Sequence, residues 1–316
     1  MDISRITSGR WFLPGLFLLI LILLATLPLY GSGYPVILLT TILMYIVITV
    51  SWTMFSGPTR RISLASAAFL GVGVYTAAIL GKTLPLLAVI VIGGLVSFIL
   101  ALGIGLLTLR LKGMYFIIFT FGISELIKNV LLFWETHAEG TVGRWVVRVD
   151  YLSVYYIMLG IFVAALLVAY FIKRSKYGAA LQSIGENEEA AAHSGINVTW
   201  VKVITFAISA IFMGAAGAIM ATKWAYVDPR IAFNPLFSFM PVLMAIFGGM
   251  GQLYGPVIGA AIFTYLEEIL ITKFPYYYML IFGAILVVAI LFLPNGLVGL
   301  IQKWRERGPV KQRAKT

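Results

Sequence analysis

Phe237-Ser-Phe-Met-Pro-Val-Leu-Met-Ala-Ile-Phe247 is a short apolar run, Gly248-Gly-Met-Gly-Gln-Leu-Tyr-Gly255 is a glycine-rich break, and Pro256-Val-Ile-Gly-Ala-Ala-Ile-Phe-Thr-Tyr-Leu-Glu-Glu-Ile-Leu-Ile271 is apolar again. Fused, these runs make one membrane crossing; kept apart, they make two. The rest of the chain decides which. Upstream, helical spans read at Trp11–Tyr30, Val36–Phe55, Ile62–Leu80, Leu84–Leu107, Met114–Trp134, Tyr155–Ile172 and Val203–Ala221, and downstream Tyr277–Leu293 closes the set. The loops with Arg60 and Arg61, with Arg110 and Lys112, and with Lys173, Arg174 and Lys176 follow the second, fourth and sixth spans, so they and the N-terminus belong in the cytoplasm. The tail carries Lys303, Arg305, Arg307, Lys311, Arg313 and Lys315 against Glu306 and belongs there too. An even number of crossings is required, which separates the two runs and predicts ten spans.

Composition points the same way. Of 316 residues 61% are apolar and 11% charged, against roughly 45–50% and 25% in a soluble domain. At about 20 residues per crossing, the apolar content fills nine or ten helices and leaves no room for a soluble catalytic domain or a built-in ATPase. The expected fold is an all-α integral membrane protein, a single transmembrane domain over 1–316. The +11 net charge reflects cytoplasmic loops of a multi-pass protein rather than a nucleic-acid partner. No cysteine is present, and His137 and His193 are too few for a His-based metal site. Trp11–Leu29 is longer than the apolar core of a signal peptide and is expected to stay attached. Tyr and Trp near span ends form the usual interfacial belt.

Two glycine-interrupted segments lie in opposite halves of the chain. Gly57-Pro58 precedes a small-residue run holding Gly71 and Gly73, and Gly248, Gly249 and Gly251 precede Gly255 and Gly259. Paired interrupted segments point to inverted repeats with a transport path between them. Close helix packing through small faces is the alternative, and both can hold at once.

Glu125 falls 11 residues into the fifth span, about 16 Å along a helix and near the middle of a hydrocarbon layer about 30 Å thick. Lys128 is its i+3 neighbour. Two charges cost about 5–7 kcal/mol, while the span's Leu, Ile, Phe and Val residues return about 3.6–7.2 kcal/mol, so insertion breaks even at best. The span is therefore expected inside the bundle with Glu125, Lys128 and Asn129 turned from lipid. They either line or gate the path, or form a neutralised pair that fixes helix register.

Between Lys173 and Lys202 the hydropathy collapses to KRSKYGAALQSIGENEEAAAHSGINVTWVK. Asn187 suits an N-cap, Glu188 and Glu189 suit a first turn, and Gly195 suits a left-handed C-terminal position. A short capped helix outside the membrane is expected, preceded by another over Tyr177–Ile184. A small alanine-rich helix suits docking into a partner's groove.

Glu189-Ala190-Ala191 followed by Gly195 resembles the EAA-x-x-x-G signature of ABC importer permeases, whose loop docks on the ATPase subunit. The string Gly185–Val198 is similar to LivM-type permeases of branched-chain amino acid importers. Further matches are Ile62-Ser-Leu-Ala with Ala67-Ala-Phe69 and Gly71-x-Gly73-x-Tyr75; Phe121-Gly-Ile-Ser-Glu125 with Lys128; Gly248-Gly-Met-Gly-Gln-Leu-Tyr-Gly-Pro256; and Leu293-Pro-Asn-Gly296-Leu with Gly299. Together they run from about residue 50 to the end. The resemblance implies a vitamin-B12-importer-type (type II) ABC permease in a bacterial inner membrane, with inverted repeats. It implies pairing with a LivH-type permease, two ATPase subunits that bind ATP and Mg inside, and a periplasmic binding protein outside. Leucine, isoleucine and valine are the implied cargo, with urea, short amides or other amino acids as alternatives. Glu186, Glu188, Glu189, Ala190, Ala191 and Gly195 would form the coupling element, and Glu125 with Lys128 would match a family acid and base. No cofactor is implied for this chain, which would be a non-catalytic permease. Glu135–Asp150 departs from the family's glycine-rich outer segment.

Other motifs fail on inspection. Gly81-Lys82-Thr83 ends like a P-loop, but Thr76 stands where its leading glycine is required. Asn197-Val-Thr199 fits a glycosylation acceptor but lies on the expected cytoplasmic side. Gly122-Ile-Ser124-Glu-Leu126 lacks the last glycine of a nucleophile elbow, and no His-Glu-x-x-His pair exists. A self-sufficient secondary transporter using Glu125 as proton-coupling acid is the competing reading. A membrane scaffold with no transport role is a third, and it leaves the paired glycine breaks without a purpose.

Overall fold

The computed structural model describes residues 19–28, 33–111, 113–224 and 226–292, with 296, 297 and 299. Trp11–Leu18, Lys112, most of Leu293–Gly299 and the basic tail 302–316 lie outside the described residues. The helices run in the order α1 (Leu19–Pro28), α2 (Tyr34–Thr59), α3 (Ser66–Leu80), α4 (Leu86–Thr108), α5 (Met114–Trp134), α6 (Tyr151–Arg174), α7 (Lys176–Glu186), α8 (Glu188–His193), α9 (Val198–Ala221), α10 (Pro229–Ala232), α11 (Leu236–Gly248), α12 (Tyr254–Lys273) and α13 (Tyr278–Phe292). A π-helical turn at Glu135–Glu139 extends α5, and the two-residue strands β1 (Arg144–Trp145) and β2 (Tyr226–Val227) pair antiparallel. Seven of the described helical segments are long and apolar enough to cross a membrane, while α1 and α3 are shorter apolar helices.

The two apolar runs around the glycine break are separate helices. A Cβ on Gly248 would lie 1.9 Å from the carbonyl oxygen of Gly255, and one on Gly259 would lie 2.1 Å from that of Met244. These pairings run in opposite directions along α11 and α12, so the two form a hairpin whose backbones touch. Leucines there would hold the helices several ångströms apart.

The core is α3, α4 and α9 packed the same way. A Cβ on Gly73 would lie 1.9 Å from the Gly214 carbonyl oxygen, and one on Gly217 would lie 2.1 Å from that of Leu70. Phe69 and Phe55 meet Phe206 edge to face at 5.3 and 5.0 Å between ring centroids, a geometry worth about 0.5–1.5 kcal/mol beyond burial.

α3 begins four residues later than expected from the sequence, because Ile62–Ala65 is not helical. Non-helical backbone within a membrane protein survives only where protein groups satisfy it. Trp52 Nε1 donates to the Ser63 carbonyl at 2.8 Å, and Leu64 N donates to Thr120 Oγ1 at 3.0 Å. Ser238 Oγ donates to the Leu64 carbonyl at 2.7 Å and accepts from Ala67 N at 3.1 Å, while Ser124 Oγ donates to Leu64 O at 3.3 Å. Side chains from α2, α5 and α11 thus replace the missing helical hydrogen bonds.

The connections sort into two ends. At one, Arg61, Leu109, Leu111, Glu188 and Lys202 bond to one another, Gly185 abuts the Pro58 carbonyl, and Lys173 Nζ donates to Gly251 O at 3.1 Å. All three basic loops expected on one side meet there. At the other lie the π-turn, β1, β2 and α10.

Candidate functional site

Ser175 opens α7 and accepts from Gly178 N, and α7 ends at Asn187, which in turn caps α8. Asn187 Oδ1 accepts from Glu189 N at 3.0 Å and Ala190 N at 3.1 Å, the arrangement expected for this N-cap. Gly195 has φ +82°, the left-handed position expected of it, and Ile196 N reaches back to Ala191 O at 3.2 Å. Six residues form α8, too few to be helical alone. Caps at both ends and burial of Leu181, Ile184 and Ala191 hold the pair of short helices in place.

The coupling residues expected from the sequence divide into two sets. Glu186, Glu189, Ala190 and Gly195 are exposed. Ala191 is buried, and the Glu188 carboxylate is turned into the chain, where Arg61 Nη2 meets it at 2.6 Å and Lys202 Nζ at 2.9 Å. Burial alone would push the Glu188 carboxyl up, but the Lys202 hydrogen bond and the Arg61 charge outweigh it and hold it below the usual carboxylate value. Lys202 is itself 4% exposed. Arg61 and Lys202 were not among the expected site residues: Arg61 lies 127 positions from Glu188 and Lys202 lies 14, and neither separation carries a helical signal.

Glu125 and Lys128 are ion-paired one turn apart, and Asn129 Nδ2 donates to the Glu125 carbonyl at 2.8 Å. The expected placement of α5 inside the bundle is not met within this chain. Only 17% of its apolar window is buried, and Leu126, Val130 and Phe133 are exposed beside the pair. Two charges in a membrane need cover, and this chain's own helices leave the Lys128 and Glu125 side chains 18% and 30% exposed.

The interrupted-segment glycines sit at helix contacts. Gly71 is covered by the Phe233 ring, Gly73 by Gly214, Gly248 by Gly255, and Gly255 by the Gly249 carbonyl. Gly249 has φ +100° and begins the turn into α12, while a Cβ on Gly251 would meet nothing within 4 Å. Close packing accounts for Gly71, Gly73, Gly248 and Gly255.

At the far end, Glu135 is 1% exposed although it lies in the segment that departs from the expected family pattern. Its Oε2 accepts from Gly143 N at 2.8 Å and its Oε1 lies 3.4 Å from Arg144 Nε. Tyr226 Oη donates to the Val142 carbonyl, which clips the segment to β2. A small cavity between α2, α3 and α9 is lined by Ser56, Ser63, Ser66 and Ser209, with room for about one water molecule, too little for an amino acid. Among the described residues no group of three His, Cys, Asp or Glu side chains is arranged to hold a metal ion.

Comparison with known proteins adds an independent finding. The family described as "Branched-chain amino acid transport system / permease component" matches residues 34–290. The high-affinity branched-chain amino acid transport system permease protein LivM of Salmonella typhimurium is 26% identical over 341 residues, covering 94% of this chain and 80% of that protein. LivM of Escherichia coli is 26% identical over 318 residues, covering 90% of this chain and 74% of that protein. The high-affinity branched-chain amino acid transport system permease protein LivH of Escherichia coli is 28% identical over 139 residues, 44% of each chain. No solved structure matches the chain.

Proposed function

The chain belongs to the family of branched-chain amino acid transport system permease components, and from that premise we infer that it forms one half of the translocation path of an ATP-driven importer in a bacterial inner membrane. As a member of that family it is a non-catalytic membrane component. The cargo we assign is leucine, isoleucine and valine, by likeness to the two LivM proteins.

The observation that carries the reading is α8. A six-residue helix capped at both ends presents Glu189, Ala190 and Gly195 outward at the end where the basic loops gather. Such a surface suits a groove on a partner. Two ATPase subunits, holding ATP and Mg, would take α7 and α8 of this chain and of its companion. That end is then cytoplasmic, and with α1, α3 and α13 added to the seven long spans the chain crosses ten times with both termini inside, as one transmembrane domain of the vitamin-B12-importer type. A periplasmic binding protein would meet the opposite end.

The exposed face of α5 supports a second permease of LivH type beside this one. A charge pair at mid-membrane is costly against lipid, and a facing subunit would cover it and turn Glu125, Lys128 and Asn129 toward the shared path. The pairing of Glu125 with Lys128 weighs against Glu125 as a lone proton-coupling acid.

The test is to purify the tagged chain gently from its native membrane, identify its companions and measure leucine uptake in vesicles. Two ATPase chains and a second permease are expected to accompany it. Glu189→Lys and Gly195→Trp are expected to abolish uptake and release the ATPases while the chain stays in the membrane. Uptake by the chain alone, or ATPases retained in both variants, would sink the assignment.

A further inference from the structure

Four segments of the chain meet in one hydrogen-bonded cluster centred on a carboxylate. Glu188 Oε1, in the first turn of α8, accepts from Arg61 in the α2–α3 connection at 2.6 Å and from Lys202 near the start of α9 at 2.9 Å. Arg61 also donates to the carbonyls of Leu109 at 3.3 Å and Leu111 at 2.5 Å, and Lys202 donates to Leu109 at 3.2 Å. One acid against two bases leaves a positive charge, and the carbonyls at the C-terminal end of α4, where the helix dipole is negative, are placed to take it. Charge-assisted bonds of this kind are about twice as strong as neutral ones, and here they are largely shielded from water, with side-chain exposures of 12% for Arg61, 25% for Glu188 and 5% for Lys202.

The elements so joined already form a stiff body. Backbone meets backbone between α3 and α9 at Gly73 and Gly217, and Gly93 and Gly94 of α4 lie against Ala218 and Ile211 of α9. Such contacts leave no compressible side-chain layer between the helices. Glu189 and Ala190, the residues after Glu188, face outward. Adjacent positions on α8 are thus divided between an outer surface and an inner attachment.

We propose that Glu188 is a positioning residue that fastens α8 to the body formed by α3, α4 and α9, so that displacement of α8 by its ATPase carries those three helices with it. This rests on the docking role inferred above for α7 and α8, but it assigns Glu188 to transmission within the chain and removes it from the docking contact. Arg61 and Lys202 are the two arms of the fastening. A joint held by one carboxylate is also its weak point, since removing that group leaves two cations facing each other.

The chain has no cysteine, so thiols introduced at His193 on α8 and at Gly103 on α4 are its only labelling sites. Both positions are exposed, and a side chain at Gly103 meets nothing within 4 Å. Spin labels there report the α8–α4 distance in the assembled complex with cysteine-free partners. In the parent one narrow distance is expected, shifting by under about 2 Å between the nucleotide-free and ATP-bound states, whereas Glu188→Gln should broaden it about twofold with the ATPases still attached. Glu188→Asp should keep it narrow. If Glu188→Gln does not accumulate, Lys202→Met removes one arm and should broaden the same distance. A parent distance that shifts by more than about 5 Å with ATP, a single elastic body being incompatible with that, overturns the proposal. So does a Glu188→Gln distance as narrow as the parent's, or loss of the ATPases in that variant. A parent chain that purifies without ATPases defeats the docking reading instead, and the same widths measured on the chain alone still decide the fastening.

Discussion

α9 and α5 are both apolar helices carrying a lysine near an acid, and they sit in opposite circumstances. In α9, 72% of the apolar window is buried, and Lys202 reaches an acid on another helix and a carbonyl on a third. In α5, 17% is buried, and Lys128 reaches the acid on its own helix. The first lysine is satisfied by the fold of this chain. The second is neutralised on its own helix and only partly covered, 18% exposed beside an acid 30% exposed, where lipid is a poor solvent for charge. Two apolar helices are therefore placed differently: α9 holds the chain together, whereas most of α5 is left open.

The contrast is broken most severely through the glycines. Gly73→Leu would drive its side chain into the Gly214 backbone, which has no soft end to yield. Overpacking costs about 1–3 kcal/mol and occasionally more, and a clash with backbone belongs at the upper end, so the monodisperse fraction after solubilisation should fall at least about tenfold. Gly122→Leu on α5 meets nothing within 4 Å, so the isolated chain should tolerate it. Equal recovery of the two variants would erase the distinction between the helices.

The next effect separates chain from assembly. Lys128→Met leaves Glu125 unpaired in the membrane, a cost of about 2.5–3.5 kcal/mol on the insertion scale. It should appear as loss of the companion permease from the purified complex, and Glu125→Gln added to Lys128→Met should restore assembly. Lys202→Met should cost somewhat less, about 2 kcal/mol, because Arg61 still holds Glu188, whereas a lone buried charge costs about 3–5 kcal/mol. This loss belongs to the chain and should show as earlier thermal unfolding of the isolated protein. A Lys202→Met chain as stable as the parent would place Lys202 outside the core joint.

The parts legible in the sequence are those that short-range physics controls. The α5 limits Met114 and Trp134 follow from hydropathy and the preceding glycine, and the caps at Asn187 and Gly195 follow from local backbone chemistry. The separation of α11 from α12 follows from charge parity and the glycine break. What stayed hidden depends on distant partners. The non-helical stretch Ile62–Ala65 exists because Thr120, Ser124 and Ser238 satisfy it from 56 to 174 positions away, which no local pattern announces. For the same reason Glu188 reads as one of several docking acids, and only its contacts with Arg61 and Lys202 set it apart from Glu189. The position of α5 at the rim is hidden differently: the sequence demands cover for Glu125 but does not show that this chain leaves α5 largely open.

The smallest effect concerns acid, and its sign follows from the Glu188 environment. Burial raises the carboxyl, Lys202 and Arg61 lower it by more, and the group titrates below its ordinary 4.5. A group whose folded pKa is depressed contributes stability that is present above its unfolded pKa and is lost as pH falls through the folded value. Between neutrality and the ordinary carboxylate range the fastening of α8 should therefore not change, and loosening should begin only below pH 4.5. Replacing His193 by the labelled cysteine removes the only histidine on α8. Glu186 and Glu189 stand beside it, so the comparison with Glu188→Gln is what assigns the width of the α8–α4 distance to Glu188. A flat profile down to about pH 5 followed by broadening is expected, and Glu188→Gln should be equally broad at every pH. Broadening already at about pH 6 would mean that Glu188 is held by neither base at neutrality, and α8 would then be tied to the chain no better than α5 is.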